Sequence, residues 1–367
     1  MTIDVSYVAL ALVPGIGRAR LEALLRTFRS ADAVMTAGFD RLRAVPGMSR
    51  AAATAVAESS TETGERVVTQ VDDLGGDVLV PADPRFPDAL RRIPDAPILL
   101  FAKGRLDLLA CPSVAIVGSR THTRYGAEVC RHMAGGLARA GLVVVSGMAR
   151  GLDAIAHGAS LDAGGGTVGV LGNGLGVVYP AANRALYDRV GEHGCLLTEF
   201  PPGERPHAGS FPRRNRLISG LARCTLVVEA RARSGALITV DCALAQAREV
   251  LAVPGPITSP SSMGCNRLIQ QGAKPALGLQ DVLEEYGLSG SVAESGVDKS
   301  DLHADEQRVL TALEQGVGQV DDLALRLDCT VADALSVLTS LELKGLVSQD
   351  RGRIFRPTLD VAVQPRD

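Results

Sequence analysis

The chain has 367 residues, 46% hydrophobic and 22% charged, enough apolar content to bury a full core and divide into two or three domains. A net charge of −3 excludes a surface coated in positive charge, so any nucleic-acid contact has to be local. The lack of Trp, with 3% aromatic residues, limits a mechanism built on many stacked bases.

No apolar run reaches the roughly 18–20 residues of a membrane span, and the opening MTIDVSYVALALVPGIG carries no basic region before its apolar run. Seven single cysteines without a C-x-x-C suit reduced core thiols better than a disulfide frame or a zinc site. A cytoplasmic protein with no membrane contact is the expectation.

Residues 7–59 read as helical, interrupted by two turns of one kind, VPGIG at 13–17 and VPGMS at 45–49. The first is the turn of a helix-hairpin-helix, in which Gly lets the backbone approach a phosphate ahead of the free N–H groups of the next helix. The second has Ser49 where the first has Gly17, and both also suit plain helix hairpins. A helix at 64–74 and a strand at 77–80 follow, then five prolines between 81 and 97 that forbid regular helix.

From 113 to about 287 short apolar runs alternate with helical segments. Strands are expected at 114–117, 143–146, 167–171, 195–199, 225–229 and 249–253. Helices are expected at 124–140, 153–163, 183–190, 214–221 and 237–247. This rhythm predicts an α/β domain with a doubly wound, Rossmann-like parallel sheet. The polar stretch SGSVAESGVDKS at 289–300 reads as a linker. Helices at 305–313, 320–327 and 331–343 and a strand pair at 346–355 around Arg351-Gly352-Arg353 then spell a winged helix. The expected domains are thus 1–63 (helix-hairpin-helix, SAM-like), 64–288 (Rossmann-like), 289–300 (linker) and 301–360 (winged helix).

Three strands end abruptly in small or cationic residues: VAIVGSR at 114–120, VVVSGMARGLD at 143–153 and VGVLGNGLGVVYP at 168–180. The carboxyl edge of a parallel sheet is where such folds bind ligands. Gly118, Ser119 and Arg120 offer backbone N–H groups, a hydroxyl and a guanidinium to an anion, and Ser146-Gly147 and Ser234-Gly235, with Thr239 in the next helical turn, form further nests. The densest cationic run is HAGSFPRRNRLISGLA at 207–222. Arg213, Arg214 and Arg216 around Asn215 at a helix start oppose the helix dipole unless an anion sits among them, and Phe211 is available to stack on a base. Successive nests on one edge suit a strand of phosphates better than one nucleotide.

Other chemistries have less support. GNGLG at 172–176 imitates a dinucleotide fingerprint but leads into VVYP instead of a helix, and no Walker A motif occurs, so neither a dinucleotide nor any other cofactor is expected. Asp153 and His157, at i and i+4, with Glu199 and Glu229 at strand ends, suggest an acid–base or metal cluster; the simpler reading makes Asp153 an N-cap and His157 a packing residue. The expected recognition helix 331–343 carries Asp333 and Glu342 and no Arg or Lys, poor equipment for a major groove. Protein contact or self-association suits it at least as well.

These motifs together resemble the DNA processing protein A (DprA/Smf) family. The likeness runs through VAIVGSR, SGMARGLD, LGNGLGVVYP, TEFPPG at 198–203, FPRRNRLISGLA at 211–222, SGALIT at 234–239, REVLAVPG at 248–255 and GCNRLIQQGA at 264–273. The resemblance implies a non-catalytic, homodimeric single-stranded-DNA-binding protein that protects incoming strands in natural transformation and promotes loading of the RecA recombinase. It maps the binding loop onto Gly118, Ser119 and Arg120 and the FPxRNR segment onto Phe211, Arg214, Asn215 and Arg216. Asn173 and Gly176 stand where the family often has other residues. Two alternatives are a nucleotide phosphoribohydrolase-like enzyme of the lysine-decarboxylase-like group, whose PGGxGTxxE stretch is missing here, and a winged-helix regulator of duplex DNA.

Overall fold

The computed structural model describes residues 3–288, 302–344, 346–350 and 354–357. The expected linker and the wing turn at Arg351-Gly352-Arg353 lie outside the described residues. The chain forms two compact units, 1–288 and 289–367.

Among the described residues of the first unit, nine strands make one sheet. They are β1 (Asp77–Leu79), β2 (Leu100–Gly104), β3 (Ser113–Val117), β4 (Val143–Ser146), β5 (Thr167–Val170), β6 (Cys195–Thr198), β7 (Cys224–Val227), β8 (Glu249–Ala252) and β9 (Lys274–Pro275). Their order is β1-β2-β6-β5-β4-β3-β7-β8-β9. The run from β6 to β9 is parallel, whereas β1 and β2 join antiparallel at one edge. Every residue of β3 to β7 is buried, as parallel strands covered on both faces must be. Side chains alternate between the two faces, so Ala115, Val117, Val143 and Val145 enter one apolar cluster and Phe101, Leu171 and Leu196 another.

In register, Ala115 faces Val145 and Val117 faces Val227, which brings the ends of β3, β4 and β7 out side by side.

The five helices Val5–Leu12, Arg18–Phe28, Ala31–Met35, Phe39–Arg43 and Arg50–Ala57 close around Leu10, Leu21, Leu24, Leu42 and Val56. Gly15 and Gly47 take φ of +84° and +82°, which only glycine adopts without strain, and Ile16 and Met48 turn inward behind them. The Arg20 guanidinium donates to the carbonyls of Gly15 (2.6 Å) and Gly47 (2.9 Å), holding the two turns side by side. The boundary expected at 63/64 falls inside the helix Thr61–Asp73. That helix packs on Val5–Leu12 so closely that a Cβ at Gly64 would lie 2.1 Å from the Val5 carbonyl oxygen. The helical layer also continues into the sheet, since Tyr7 Oη donates to the Ile98 carbonyl (3.1 Å).

In the second unit the helices Ala304–Glu314, Val320–Leu327 and Val331–Leu343 and an antiparallel pair, β10 (Val347–Asp350) and β11 (Ile354–Pro357), make the winged helix. Leu310, Leu323, Leu338 and Phe355 form its core. Of the two acids on Val331–Leu343, Asp333 is spent in a capping box with Thr330. The cation just after that helix, Lys344, is bound to the buried Glu306 at 2.8 Å.

Candidate nucleic-acid interface

The chain leaves β3 towards β4 on one side and reaches β7 on the other. Connections diverging from adjacent strands leave a crevice at their carboxyl ends. A cavity of about 410 Å³ occupies it. Gly118, Ser119 and Arg120 after β3, Ser234, Gly235 and Thr239 after β7, and Phe211, Arg214 and Asn215 from the helix Ser210–Leu221 line it. A second cavity of about 610 Å³ adjoins it between the loops after β4 and β5, contacts Gly147, and shares Arg120, Phe211 and Arg214 with the first. The structure therefore brings ten of the thirteen expected residues to one crevice.

Their roles differ from the expected ones. The Ser119 N–H donates to the Glu229 carbonyl (2.8 Å), and its hydroxyl donates to the Thr121 carbonyl (2.8 Å) while accepting from the Thr121 N–H (3.1 Å). That amide and hydroxyl shape the loop. Gly118 answers to packing, because a Cβ there would lie 2.4 Å from Leu152 Cδ1. Arg120 is what remains for a ligand: it is exposed, lies 5.6 Å from the Phe211 ring centroid, and has no ion pair or hydrogen bond from its guanidinium among the described residues. Ser146 is fully buried, lines neither cavity and donates to the Ile116 carbonyl (2.6 Å), so it ties two strands. Ser234 stands one residue ahead of Gly235, the N-cap of the helix Ala236–Ala245, and its hydroxyl accepts from the Ala236 N–H (3.3 Å).

Within the run Arg213–Arg216, Arg214 parts from Arg213 and Arg216. Its helix starts at Ser210, four residues earlier than expected, which moves the arginines off the helix end and weakens the dipole argument. Arg216 grips both oxygens of Glu199 (2.7 and 2.8 Å) and reaches Asp95 (3.0 Å). Arg213 lies 3.8 Å from Glu199 and over Phe200, and neither arginine lines either cavity. The anion among them is a carboxylate of the chain itself, whose pKa burial raises against the pull of both arginines. Arg214, 4% exposed, forms the crevice floor: its guanidinium donates to the carbonyls of Gly147 and Val170. A Cβ at Gly147 would lie 2.6 Å from Arg214 Nη1 and 2.7 Å from Asp153 Oδ2, which explains the glycine.

The expected cap is displaced as well. The helix Leu152–Asp162 is capped at Gly151, and the Asp153 carboxylate reaches back to the N–H groups of Gly147 (3.2 Å) and Ala149 (3.3 Å). Burial raises the Asp153 pKa, with Arg214 opposing. His157 is fully buried, pairs through Nδ1 with the Thr167 hydroxyl (2.7 Å), and leaves Nε2 without a hydrogen-bond partner among the described residues. Glu229 holds the Thr123 N–H (2.8 Å) and hydroxyl (2.7 Å). The four groups thus serve separate structural ends.

Burial, with Arg214 adding to it, lowers His157 from 6.5 to about 3. A depressed folded pKa contributes stability that is present above the unfolded value and lost as pH falls towards the folded one. Relative to His157→Gln, the native chain should therefore lose up to about 1.4 kcal/mol per pH unit below 6.5. Denaturant titrations of both proteins at pH 7 and pH 4.5 measure the difference.

Three exposed arginines absent from the expected set also border the crevice: Arg231 and Arg233 at the first cavity and Arg150 at the second. Their guanidinium groups make no ion pair or hydrogen bond among the described residues. Their signal is position, since each follows within a few residues of a strand end. Tyr179, 45% exposed, completes the second cavity.

Comparison with known proteins decides the family. The profile of DNA recombination-mediator protein A matches residues 77–287. The chain belongs to the DNA recombination-mediator protein A family. Profiles of the SAM-like helix-hairpin-helix tandem and the DprA winged helix domain match residues 8–59 and 294–353. In this family the chain is 48% identical to DNA processing protein DprA of Streptococcus pneumoniae over 204 residues, 56% of this chain and 72% of the other. It is 40% identical to protein Smf of Escherichia coli over 287 residues, 76% and 77% of the two chains. The X-ray structure of the Streptococcus pneumoniae DNA processing protein A superposes with a TM-score of 0.69 at 37% identity, covering 78% of this chain and 99% of that one. The DNA processing protein A of Helicobacter pylori, solved to reveal its single-stranded DNA binding mode, gives a TM-score of 0.53 at 28% identity over 57% and 95% of the chains. No described helix is long and apolar enough to cross a membrane.

Proposed function

We propose that this member of the family binds single-stranded DNA in the crevice between the β3, β4 and β7 ends, without cutting or modifying it. The observation that carries the reading is the continuous pair of cavities floored by Arg214 and bordered by Arg120, Arg150, Arg231 and Arg233, whose charges no acidic side chain of the described residues takes up. Guanidinium groups recognise phosphodiesters through charge-assisted hydrogen bonds, and a concave site takes a strand whose bases are free more readily than a duplex. The single-strand binding of the Helicobacter pylori relative supports the same conclusion. The family likeness adds a homodimer, protection of incoming strands during transformation, and hand-over of the bound strand to RecA.

Mobility-shift titrations of the full chain against single- and double-stranded DNA of one length test the reading. Single strands should bind in preference, with log K falling linearly in log salt by about 0.7 per phosphate neutralised. Tighter duplex binding, or release of free base from nucleoside monophosphates, would replace it with one of the two alternatives.

A further inference from the structure

We propose that the second cavity is a base compartment, in which Tyr179 stacks on one unpaired nucleobase of the strand whose phosphates Arg120 and Arg150 hold. This rests on the single-strand reading above and adds the residue that senses the base.

The aromatic surface expected to meet a base, Phe211, is half-buried where the two cavities meet. Arg120 lies over its ring at 5.6 Å, and the ring packs so tightly on Gly172 that a Cβ there would come within 2.9 Å of it. Tyr179 stands 5.6 Å from Phe211, centroid to centroid, tilted by 38°. It is nearly half exposed into a cavity of about 610 Å³, and its hydroxyl has no hydrogen-bond partner among the described residues. Of the two rings, that of Tyr179 is the more open to a ligand.

The wall bearing that ring is built not to move. Asn173 Nδ2 donates to the carbonyls of Gly174 (3.0 Å) and Val177 (2.8 Å), and Thr198 Oγ1 donates to the Asn173 carbonyl (2.8 Å). The Gly174 N–H donates to the Glu204 carbonyl (2.9 Å). Asn183 Nδ2 then joins this wall to the loop carrying Arg150, donating to the carbonyls of Met148 (3.0 Å) and Ala149 (3.1 Å). A platform fixed in advance loses little conformational freedom when it binds. Its ligand class follows from chemistry: a flat π face beside cations suits any base that is free of its complement. Discrimination against duplex then arises from the base as well as from the phosphates.

The test compares the native chain with Tyr179→Ala and Tyr179→Phe on oligothymidylate and on an abasic sugar–phosphate oligomer of equal length, with melting curves to confirm folding. On oligothymidylate, Tyr179→Ala should bind about ten-fold or more weakly and Tyr179→Phe should match the native chain; on the abasic oligomer all three should bind alike. Binding should also quench a 2-aminopurine placed in the strand, and Tyr179→Ala should relieve the quench. Native affinity and quench in Tyr179→Ala, or an equal loss on the abasic oligomer, overturns the base compartment alone. Failure of the native chain to bind any single strand overturns the single-strand reading and this inference with it.

Discussion

Arg120→Glu is expected to abolish single-strand binding at moderate salt while leaving the fold intact. The substitution removes an exposed guanidinium shared by both cavities and puts a carboxylate where the phosphate would lie. A charge-assisted contact of this kind is worth about 1.5–3 kcal/mol, and repulsion adds to its loss, so affinity should fall by about 100-fold or more. The salt slope should also shrink by about one phosphate contact. Among the described residues the guanidinium makes no hydrogen bond or ion pair and sits over Phe211. Arg120→Ala should fall between the two. Fluorescence anisotropy across a salt series, with melting temperatures measured alongside, checks each point; native affinity in Arg120→Glu would remove the crevice from consideration.

Arg214→Leu should fail in the opposite way, by unfolding. The carbonyls of Gly147 and Val170 and the carboxylate of Asp153 would be left buried beside an apolar side chain. Leaving each of those buried carbonyls without its donor costs about 1–3 kcal/mol, together a large part of the 5–15 kcal/mol that holds a typical domain together. The pH dependence has a definite sign. Burial raises the folded pKa of Asp153 above its unfolded value of 3.8 and Arg214 opposes the rise, so without Arg214 the folded pKa climbs further. A raised folded pKa contributes stability that is present below the unfolded value and lost as pH rises through the folded one. The deficit of Arg214→Leu should therefore be smallest in acid and grow towards neutral pH, and adding Asp153→Asn should recover part of it. Denaturant midpoints from pH 4 to pH 7.5 read both effects. The native Arg214 stays charged across that range, since burial lowers it only to about 10.

These two arginines come from motifs that look alike in one dimension. Buried parallel strands announce themselves as unbroken apolar runs, and their ends as sudden Gly, Ser and Arg, so the sheet and its carboxyl edge were readable at 114–120, 143–153 and 225–235. The antiparallel edge was not, because β2 pairs with β6 across nearly a hundred residues and its sequence LFAKG does not encode direction. The winged helix followed from helical periodicity, and its acidic third helix from composition alone.

The assignment of each arginine is another matter. Residues 213, 214 and 216 share one cationic stretch, yet one lies beside Glu199 across Phe200, one is buried under Gly147 and Val170, and one bridges Glu199 and Asp95. Their partners are brought from as far as 121 residues away. By itself the sequence determined where the strands stop and what chemistry gathers at their ends, since both depend on local pattern. Only the tertiary structure decided which cations are spent inside the fold and which stay open to a phosphate, because that choice depends on which carboxylates and carbonyls packing carries to each guanidinium.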